Sequence, residues 1–323
     1  MKRASAAAFV FLCGCSRYAD FTLPAPESSG PRAPFSWQAM PGPAIARGNW
    51  VDALNPSVVR FHGEYLNLYS GYDGRIWHTA LATSSDGVHW EDRGVVLSPS
   101  GWEGNYIAAN GSALAQGDEI LYWYQAGDPP RIALARSKDG AHWNKNPAPV
   151  MNVGPRGSFD ELGVADPYAI RKGGRYYLFY TGMDRARRQR LGIAQSSDGE
   201  HWEKLRSNPI LELGGRGAFD EMGLGEPTVW SSGGSYWMLY TGRDRGERRR
   251  MGLAKSSGGV HWERDASFTP IAGAEAWDSQ VICDPAAEVT RDGIRVWFGG
   301  GDKPRPDQNL DGQIGVGMLI GSR

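Results

Sequence analysis

The sequence predicts an all-β fold: a five-bladed β-propeller of four-stranded antiparallel blades, with the ring closed by the N-terminal strand. Three observations predict it: a repeated phrase, a repeated order of short strands, and a column of polar residues at regular spacing. The phrase ends in His-Trp and occurs at residues 84–90, 137–143, 196–202 and 256–262. A period of this length is typical of radially arranged units, none of which can bury its apolar face alone.

Each repeat contains four short runs of strand-forming residues separated by glycine-containing turns. In the third repeat the runs occupy residues 168–170, 175–180, 191–194 and 201–204. Gly-Gly, Thr-Gly and Asp-Gly stand between them, and such pairs mark turns between strands. Four antiparallel strands per repeat are typical of one propeller blade. The His-Trp pair recurs in four repeats, so we expect it to be structural, which removes four of the six histidines from the catalytic candidates.

The fifth repeat is incomplete at its C-terminal end. It begins at Trp277 and runs to Leu319 without reaching another His-Trp phrase. The missing strand is present near the N-terminus, where residues 35–38 (Phe-Ser-Trp-Gln) parallel residues 201–203 (His-Trp-Glu). We expect this strand to complete the fifth blade, because ring closure removes exposed sheet edges. The propeller domain is therefore predicted over residues 35–323.

One column of residues stands out when the repeats are aligned on their innermost strands. It holds a polar residue in every repeat: Asn55, Asn110, Asp166, Glu226 and Asp284. Successive members are 55, 56, 60 and 58 residues apart, so they occupy equivalent positions at the axial start of each first strand. A structural repeat would keep one residue type, whereas these identities differ within a repeated frame. The pattern favours a site on the axis; the alternative is a channel of solvated polar residues without chemistry.

The N-terminus is not part of the predicted propeller. A charged start, an apolar run over residues 6–12 and Leu-Cys-Gly-Cys ending at Cys15 resemble the bacterial lipoprotein signal. We expect residues 1–15 to be the signal peptide, with cleavage before Cys15 and acylation of its thiol. Residues 16–34, rich in proline, are expected to form a flexible tether. An ordinary signal peptide cleaved nearby is the alternative, and either way the protein is exported, with membrane contact only through the lipid anchor.

Composition excludes several classes of function. The formal net charge of −1 gives no footprint for nucleic acid. No His or Cys group with ligand spacing lies outside the His-Trp repeats, so we expect no metal and no cofactor. A Ca²⁺ ion held in the channel by Asp284 or Asn110 stays open as an alternative. Thirteen Trp and thirteen Tyr suit stacking against sugar rings, so we expect a carbohydrate substrate. We also expect the chain to work as a monomer.

Side chains in the loops on the axial face are further candidates for contacts with substrate. They are Asp73, Trp102, Arg185 and Arg245, which join Asn55, Asn110 and Asp284 of the column. Two arginine-rich loops facing one pocket suit an anionic sugar or phosphate, because guanidinium groups bind such anions through paired hydrogen bonds. The alternative is a solvated rim.

Repeats of this Ser-Asp-Gly-x-His-Trp kind, with an Asp in the third and a Glu in the fourth, resemble the five-bladed propeller glycosidases. These include glycoside hydrolase families 32, 43, 68, 117 and 130. The resemblance spans residues 35–323 and is specific for the superfamily rather than for one family. It implies a glycoside hydrolase acting on an extracellular or periplasmic oligo- or polysaccharide. It also implies that Glu226 is the general acid, and that Asp166 tunes this acid and stabilises the transition state.

The first repeat departs from that pattern, because Asn55 stands where families 32, 43 and 68 keep a carboxylate. An amide can neither deprotonate water nor form a covalent glycosyl intermediate. Three explanations stay open. Asp52, three residues earlier, replaces the missing catalytic base; or the acceptor is phosphate, with Asp166 as proton donor, as the resemblance to family 130 implies. In the third, the propeller binds glycan without cleaving it.

Overall fold

The computed structural model describes residues 17–322. They form twenty-two β-strands and two 3-10 turns (Gly101–Glu103 and Ala276–Asp278), and no α-helix occurs among them, so the predicted all-β class is confirmed. Within this part of the chain, no helix has the length and apolarity needed to cross a bilayer. The predicted signal peptide, including Cys15, lies outside the described residues.

The strands form five antiparallel groups, preceded by two N-terminal strands, β1 (Arg17–Ala19) and β2 (Arg32–Ala39). The first group consists of β3 (Asp52–Leu54), β4 (Val58–Phe61), β5 (Glu64–Tyr72), β6 (Trp77–Ser84) and β7 (Glu91–Leu97). The second consists of β8 (Ala108–Gln116), β9 (Glu119–Ala126), β10 (Arg131–Ser137) and β11 (Asn144–Lys145).

The remaining groups follow the same order of strands. The third consists of β12 (Gly163–Lys172), β13 (Arg175–Met183), β14 (Gln189–Ser196) and β15 (Glu203–Leu205). The fourth consists of β16 (Gly223–Ser232), β17 (Ser235–Arg243), β18 (Arg249–Ser256) and β19 (Glu263–Arg264). The fifth consists of β20 (Val281–Val289), β21 (Ile294–Gly301) and β22 (Gln313–Ser322). Single parallel pairings, β14 with β16 and β18 with β20, join these groups into one mixed sheet.

The fifth group receives a further strand from the start of the chain. Strand β2 pairs antiparallel with β22, and Trp37 lies opposite Leu319. The Trp37 indole also meets the ring of Phe298 edge-on, with ring centroids 5.6 Å apart. The edge of β22 is therefore covered, which removes a row of unpaired backbone groups.

The His-Trp phrase forms the turn between the third and fourth strands of a group. In the second group, Asp139 Oδ1 accepts hydrogen bonds from the N–H groups of Ala141 (2.9 Å) and His142 (2.8 Å). The His142 ring lies 2.8 Å from Asp139 Oδ2, and the Trp143 indole donates to the Gly140 carbonyl at 2.8 Å. The same pattern recurs in the first and third groups around their aspartates, which confirms the structural role predicted for these histidines.

Buried carboxylates fix the loops that lead into the first strands. In the third group, Asp160 is 1% exposed, pairs with Lys204 Nζ at 2.5 Å and accepts the Tyr180 hydroxyl hydrogen at 3.1 Å. In the fourth, Asp220 pairs with Arg264 at 2.7 Å in the same position. Removing one partner would leave an unpaired charge buried away from water. These pairs therefore hold the loops in one conformation.

Residues 17–31, called the N-terminal strap below, lie against the body of the protein rather than forming the flexible tether expected from their composition. Strand β1 pairs parallel with β15. Leu23 is 5% exposed and its N–H donates to the Gly258 carbonyl at 3.0 Å, while the Tyr236 hydroxyl donates to the Pro24 carbonyl at 2.6 Å. Because a buried leucine and several backbone hydrogen bonds offset the loss of chain entropy, the strap is ordered.

Candidate active site

The five residues of the polar column, called the ring residues below, share one backbone conformation. None is glycine, yet all have positive φ: Asn55 (49°), Asn110 (50°), Asp166 (46°), Glu226 (51°) and Asp284 (53°). In the second to fifth groups, the pairing of first and second strands shifts register at this position. The left-handed region is disfavoured for residues with a side chain, so the surroundings must hold each ring residue there.

Hydroxyl groups on the second strands provide part of this support. In three joints, a Ser or Thr oxygen accepts the backbone N–H of the ring residue in the next group. The pairs are Ser70 with Asn110 (2.9 Å), Thr181 with Glu226 (3.3 Å) and Thr241 with Asp284 (3.1 Å). Each hydroxyl therefore joins two neighbouring groups and holds a ring residue at the same time.

The joint between the fifth and first groups is built differently. Gly299, which pairs with Cys283, stands where the first, third and fourth groups have a hydroxyl residue. A Cβ atom at Gly299 would lie 2.8 Å from Asp284 Oδ2, so the missing side chain leaves the space that this carboxyl occupies. The Asn55 N–H donates to the same Oδ2 at 3.2 Å. The carboxyl of Asp284 thus takes the place of the hydroxyl.

The surroundings of Asp166 suit a group that donates a proton near neutral pH. Burial, followed by the negative charge of Glu226, raises its pKa from 3.8 to about 7. Hydrogen bonds from Thr181 and Asn110 oppose this rise, the latter from Nδ2 to Asp166 Oδ1 at 3.3 Å. The carboxyl of Asp166 can therefore donate a proton at physiological pH.

Glu226 and Asp284 form a second close pair of carboxyls. The Asp284 N–H donates to Glu226 Oε2 at 3.4 Å, and the Cys283 thiol lies 3.1 Å from Asp284 Oδ2. Burial and then the charge of Glu226 raise the pKa of Asp284 well above its usual value. Arg249, buried beside them, opposes that rise with its positive charge. Three carboxyls thus lie close together near the Arg249 guanidinium, and their mutual repulsion favours keeping protons on some of them.

Two cavities meet at the ring residues. The upper cavity, of about 240 Å³, lies on the side where the first strands begin. Its polar and aromatic wall residues include Trp77, Tyr106, Gln125, Gln189, Arg243 and Arg249. These side chains offer hydrogen-bond donors, acceptors and aromatic faces beside the carboxyls, which is what a sugar site requires.

The lower cavity, of about 460 Å³, lies along the first strands on the other side of the ring residues. Its wall carries many apolar side chains, among them Val58, Val59, Leu114 and Ile170. Arg249, whose positive charge acts on the carboxyls of Asp166 and Asp284, lines the upper cavity and not this one. We therefore place the candidate active site in the upper cavity.

The structure corrects the prediction that Asp52 replaces the missing base. Asp52 is fully buried, and its two carboxylate oxygens accept the N–H groups of Asn309 (2.6 Å), Leu310 (2.8 Å) and Gly312 (2.9 Å). Its side chain therefore stabilises the loop that precedes β22. Asp52 is not among the residues that line either cavity. The spacing of three residues from Asn55 could not reveal this, because the partners lie far along the chain.

The four loop residues predicted to contact substrate are likewise not among the residues lining either cavity. Arg185 and Arg245 each pair with a glutamate of a neighbouring loop at 2.9 Å. Asp73 accepts two N–H groups of its own turn, and Trp102 packs near Gly127. Ion pairing, turn capping and packing thus account for these side chains without a ligand.

Arg243 and Arg249 are site residues that the sequence interpretation missed. Arg249 is 9% exposed and donates from Nη2 to the carbonyl oxygens of residues 305 and 306, while Arg243 pairs with Glu247 at 3.2 Å. Both stand at the ends of strands, and Arg249 is the middle of a run of three arginines. Strand alternation would have turned the middle residue inward and its neighbours outward, which is the signal that could have found it.

Among the described residues, one group offers several potential metal-ligating atoms close together. The ligand atoms of Glu226, Cys283 and Asp284 lie within 4.8 Å of one another. Burial raises the pKa of the Cys283 thiol well above its usual value, and the charge of Arg249 lies beside the carboxyls. A protonated thiol and a neighbouring cation both oppose binding of a metal ion, so we assign none here.

Comparison with known proteins gives a family match. Residues 127–277 match the family described as glycosyl hydrolases family 32, N-terminal domain. An uncharacterized protein of Mycobacterium tuberculosis is 27% identical over 231 residues, which cover 65% of this chain and 75% of that protein. A probable sucrose-6-phosphate hydrolase of Psychromonas ingrahamii is 29% identical over 161 residues; the match covers 46% of this chain but only 29% of that hydrolase.

Solved structures with the same fold come from several glycosidase families. A β-1,2-mannobiose phosphorylase from Listeria innocua has a TM-score of 0.69 at 15% identity, covering 89% of this chain and 97% of that one. A family 32 β-fructofuranosidase from Bombyx mori has a TM-score of 0.62 at 18% identity, covering 88% of this chain and 62% of that one. At these identities the likeness concerns the fold, which is that of the propeller glycosidases, as the sequence predicted.

The raised pKa of Asp166 predicts a pH-dependent difference in stability between the wild type and Asp166→Asn. The folded state keeps a proton that the unfolded state has lost, so the stability due to protonated Asp166 is present below about pH 4 and lost as pH rises through about 7. The free energy of unfolding of the variant relative to wild type should therefore rise by about 2–4 kcal/mol between pH 4 and pH 8, measured by urea denaturation.

Asp311→Asn is the matched control. Its hydrogen bond with Lys303 and the nearby Arg47 lower the pKa of Asp311, so its wild-type contribution is present above the unfolded pKa. The relative stability of this variant should fall as pH rises. A flat or falling difference for Asp166→Asn would contradict the assignment of a proton to Asp166.

Proposed function

We propose that this chain, which has the fold of the propeller glycosidases, is an enzyme that hydrolyses an O-glycosidic bond in the upper cavity. The observation that carries the proposal is a partly buried, protonatable Asp166 beside the carboxylate of Glu226. The family match and the curated hydrolase relative support the reaction class. An oligo- or polysaccharide outside the cytoplasm is the substrate class that we propose.

The proton donor in this proposal is Asp166. A glycosidic oxygen leaves readily only when it is protonated, and a general acid works best when its pKa lies near the working pH. Burial and the charge of Glu226 bring the pKa of Asp166 to about 7. Family resemblance alone assigns the donor role to Glu226 and the modulating role to Asp166, whereas the electrostatics of this site favour the reverse.

Glu226 then provides the negative charge beside the sugar. Glycosidic cleavage passes through a transition state with positive charge on the sugar ring, and a carboxylate held in a dry cavity stabilises it. A negative charge on Glu226 raises the pKa of both Asp166 and Asp284, which favours a proton on each of these two carboxyls. One residue thereby supports both parts of the chemistry.

Phosphorolysis is a second candidate that specific observations favour. Asp52 does not replace the missing base of the first group, since both of its carboxylate oxygens bind backbone N–H groups. Phosphate carries its own charge and needs no base, and Arg243 and Arg249 line the upper cavity. The Nε of Arg243 is buried and has no hydrogen-bond partner among the described residues.

The proposal concerns a ring of five blades around one axis, with β2 completing the fifth. All five ring residues border the same two cavities, which supports a common axis. The pairing of β2 with β22 supports closure by the N-terminal strand. We further propose that the protein works as a monomer on carbohydrate, without nucleic acid.

Activity measurements with paired variants test the function. Wild type, Asp166→Asn and Glu226→Gln are assayed on nitrophenyl glycosides and on arabino-, fructo-, manno- and galacto-oligosaccharides, with and without phosphate. Asp166→Asn should lose about 10²–10⁴-fold on oligosaccharides and much less on nitrophenyl glycosides, whose leaving groups need little protonation. Glu226→Gln should lose activity on both kinds of substrate.

Arg185→Ala serves as the control, because Arg185 is not among the residues lining either cavity, and its activity should match wild type. Stimulation by phosphate would favour phosphorolysis over hydrolysis. Full activity in both carboxyl variants would contradict the proposed reaction. So would a wild-type protein that binds glycans but turns none of them over.

We also propose that the protein is exported and anchored by a lipid on Cys15. Strand β1 begins two residues later and runs parallel to β15, whose start follows the His-Trp turn of the third group. These turns lie at the ends of the third strands, on the side of the lower cavity. An anchored chain would therefore present its upper cavity away from the bilayer.

In cells given a labelled fatty acid, the wild-type protein should take up label and sediment with membranes. Cys15→Ser should lose the label and appear in the soluble fraction, because a single thiol carries the lipid. Unlabelled wild type would overturn the anchor, and label that persists in Cys15→Ser would place it elsewhere.

A further inference from the structure

Asp284 has no part in the proposed proton transfer, yet it is the most enclosed ring residue. Only 6% of Asp284 is exposed, whereas the other four ring residues are only partly buried. A buried carboxyl is costly unless its surroundings compensate for the lost water. The contacts of Asp284 therefore indicate what the carboxyl does.

Two donors converge on one oxygen of this carboxyl. The Asn55 N–H donates to Asp284 Oδ2 at 3.2 Å, and the Cys283 thiol donates to the same atom at 3.1 Å. In the joints that contain Thr181 or Thr241, a hydroxyl oxygen accepts the corresponding N–H. At this joint, a hydroxyl residue at the position of Gly299 would collide with Asp284. Gly299 therefore leaves the space, and the Asp284 carboxyl accepts the N–H that a hydroxyl accepts in those other joints.

Asp284 also contacts Glu226, through both its backbone and its side chain. Its backbone N–H donates to Glu226 Oε2 at 3.4 Å, and carboxylate oxygens of the two residues lie within 4.8 Å. A serine or threonine at the usual position could accept the Asn55 N–H but would not place a carboxyl beside Glu226. The exchange therefore adds a contact that the other joints lack.

The charges around Asp284 favour its neutral form. The groups that face it are Glu226, the Cys283 thiol and Arg249, with Asp166 beyond Glu226. Burial and the Glu226 charge raise the pKa of Asp284, and the single guanidinium of Arg249 only partly opposes them. Since Oδ2 accepts two hydrogen bonds, the proton of a neutral Asp284 resides on Oδ1, where it can be donated to Glu226.

We propose that Asp284 is a positioning residue for Glu226: its neutral carboxyl closes the joint in place of the absent hydroxyl and donates a hydrogen bond to the Glu226 carboxylate. This inference rests on the proposed function, in which Glu226 carries the negative charge beside the sugar. A hydrogen bond from a neutral acid holds that carboxylate in place without adding a second negative charge to the cavity. Its effect on catalysis passes through Glu226.

Kinetics of three variants separate positioning from simple support of the fold. Asp284→Asn keeps both an acceptor for Asn55 and a donor for Glu226, so its kcat should stay within about 5-fold of wild type. Asp284→Ala loses both, and kcat should fall about 10–100-fold with little change in KM, as is typical when a supporting group is removed. If Asp284→Ala does not fold, Asp284→Ser, which is too short to reach Glu226, takes its place.

Ser112→Ala is the matched control. The Ser112 hydroxyl accepts the Ala169 N–H at 3.0 Å, so it joins two groups without touching a ring carboxyl. This variant should melt at a lower temperature with unchanged kcat. If Asp284→Ala likewise loses only stability, Asp284 is a structural joint and the inference fails. If Asp284→Asn is as inactive as Asp284→Ala, the carboxyl itself reacts and the positioning role is wrong.

Infrared spectroscopy tests the inference without any turnover. At pH 7, the difference spectrum between wild type and Asp284→Asn should show the loss of one carbonyl band from a protonated carboxylic acid. Absence of that band would mean that Asp284 is ionised and would overturn the inference. Because this measurement needs no substrate, it still decides the role of Asp284 if no glycoside is turned over and the proposed function fails.

Discussion

The left-handed backbone conformation of the five ring residues is the constraint on which the site depends. At each of these positions the backbone of a residue other than glycine lies in a disfavoured region, with φ between 46° and 53°. Neighbouring groups compensate for this strain, because the second strand of one group holds the ring residue of the next. A ring residue is thus placed by its neighbour as much as by its own strand. The strained backbone and the contacts between neighbouring groups therefore both lie at the ring residues.

Charge is the second organising factor. Three carboxyls meet at the neck between the cavities, and Arg249 is the cation beside them. Ionising all three would place several negative charges in a region of low dielectric constant, so protons stay on Asp166 and Asp284. A site of this kind is rich in proton donors and suits protonation of a leaving group.

Repetition decided what could be predicted from the sequence. The strand order and the ring residues were predictable because the same frame recurs, and each copy confirms the others. The roles of Asp52 and of the loop residues were not, because their partners come from distant segments, such as residues 309–312 for Asp52. Arg249 was hidden in a run of charges that alone resembles a solvated rim. The sequence also did not reveal that the N-terminal strap is ordered, since a proline-rich segment with one buried leucine has the composition of a linker.

The central claim is that a glycoside binds in the upper cavity with its glycosidic atom at Asp166. A structure with a non-hydrolysable thioglycoside of the best substrate tests this directly. The account predicts the glycosidic sulfur at hydrogen-bond distance from the Asp166 carboxyl, somewhat beyond the ~2.6–3.2 Å typical of oxygen, with Glu226 beside the sugar ring. A sugar bound in the lower cavity, or in the upper cavity with neither carboxyl near the glycosidic atom, would contradict it.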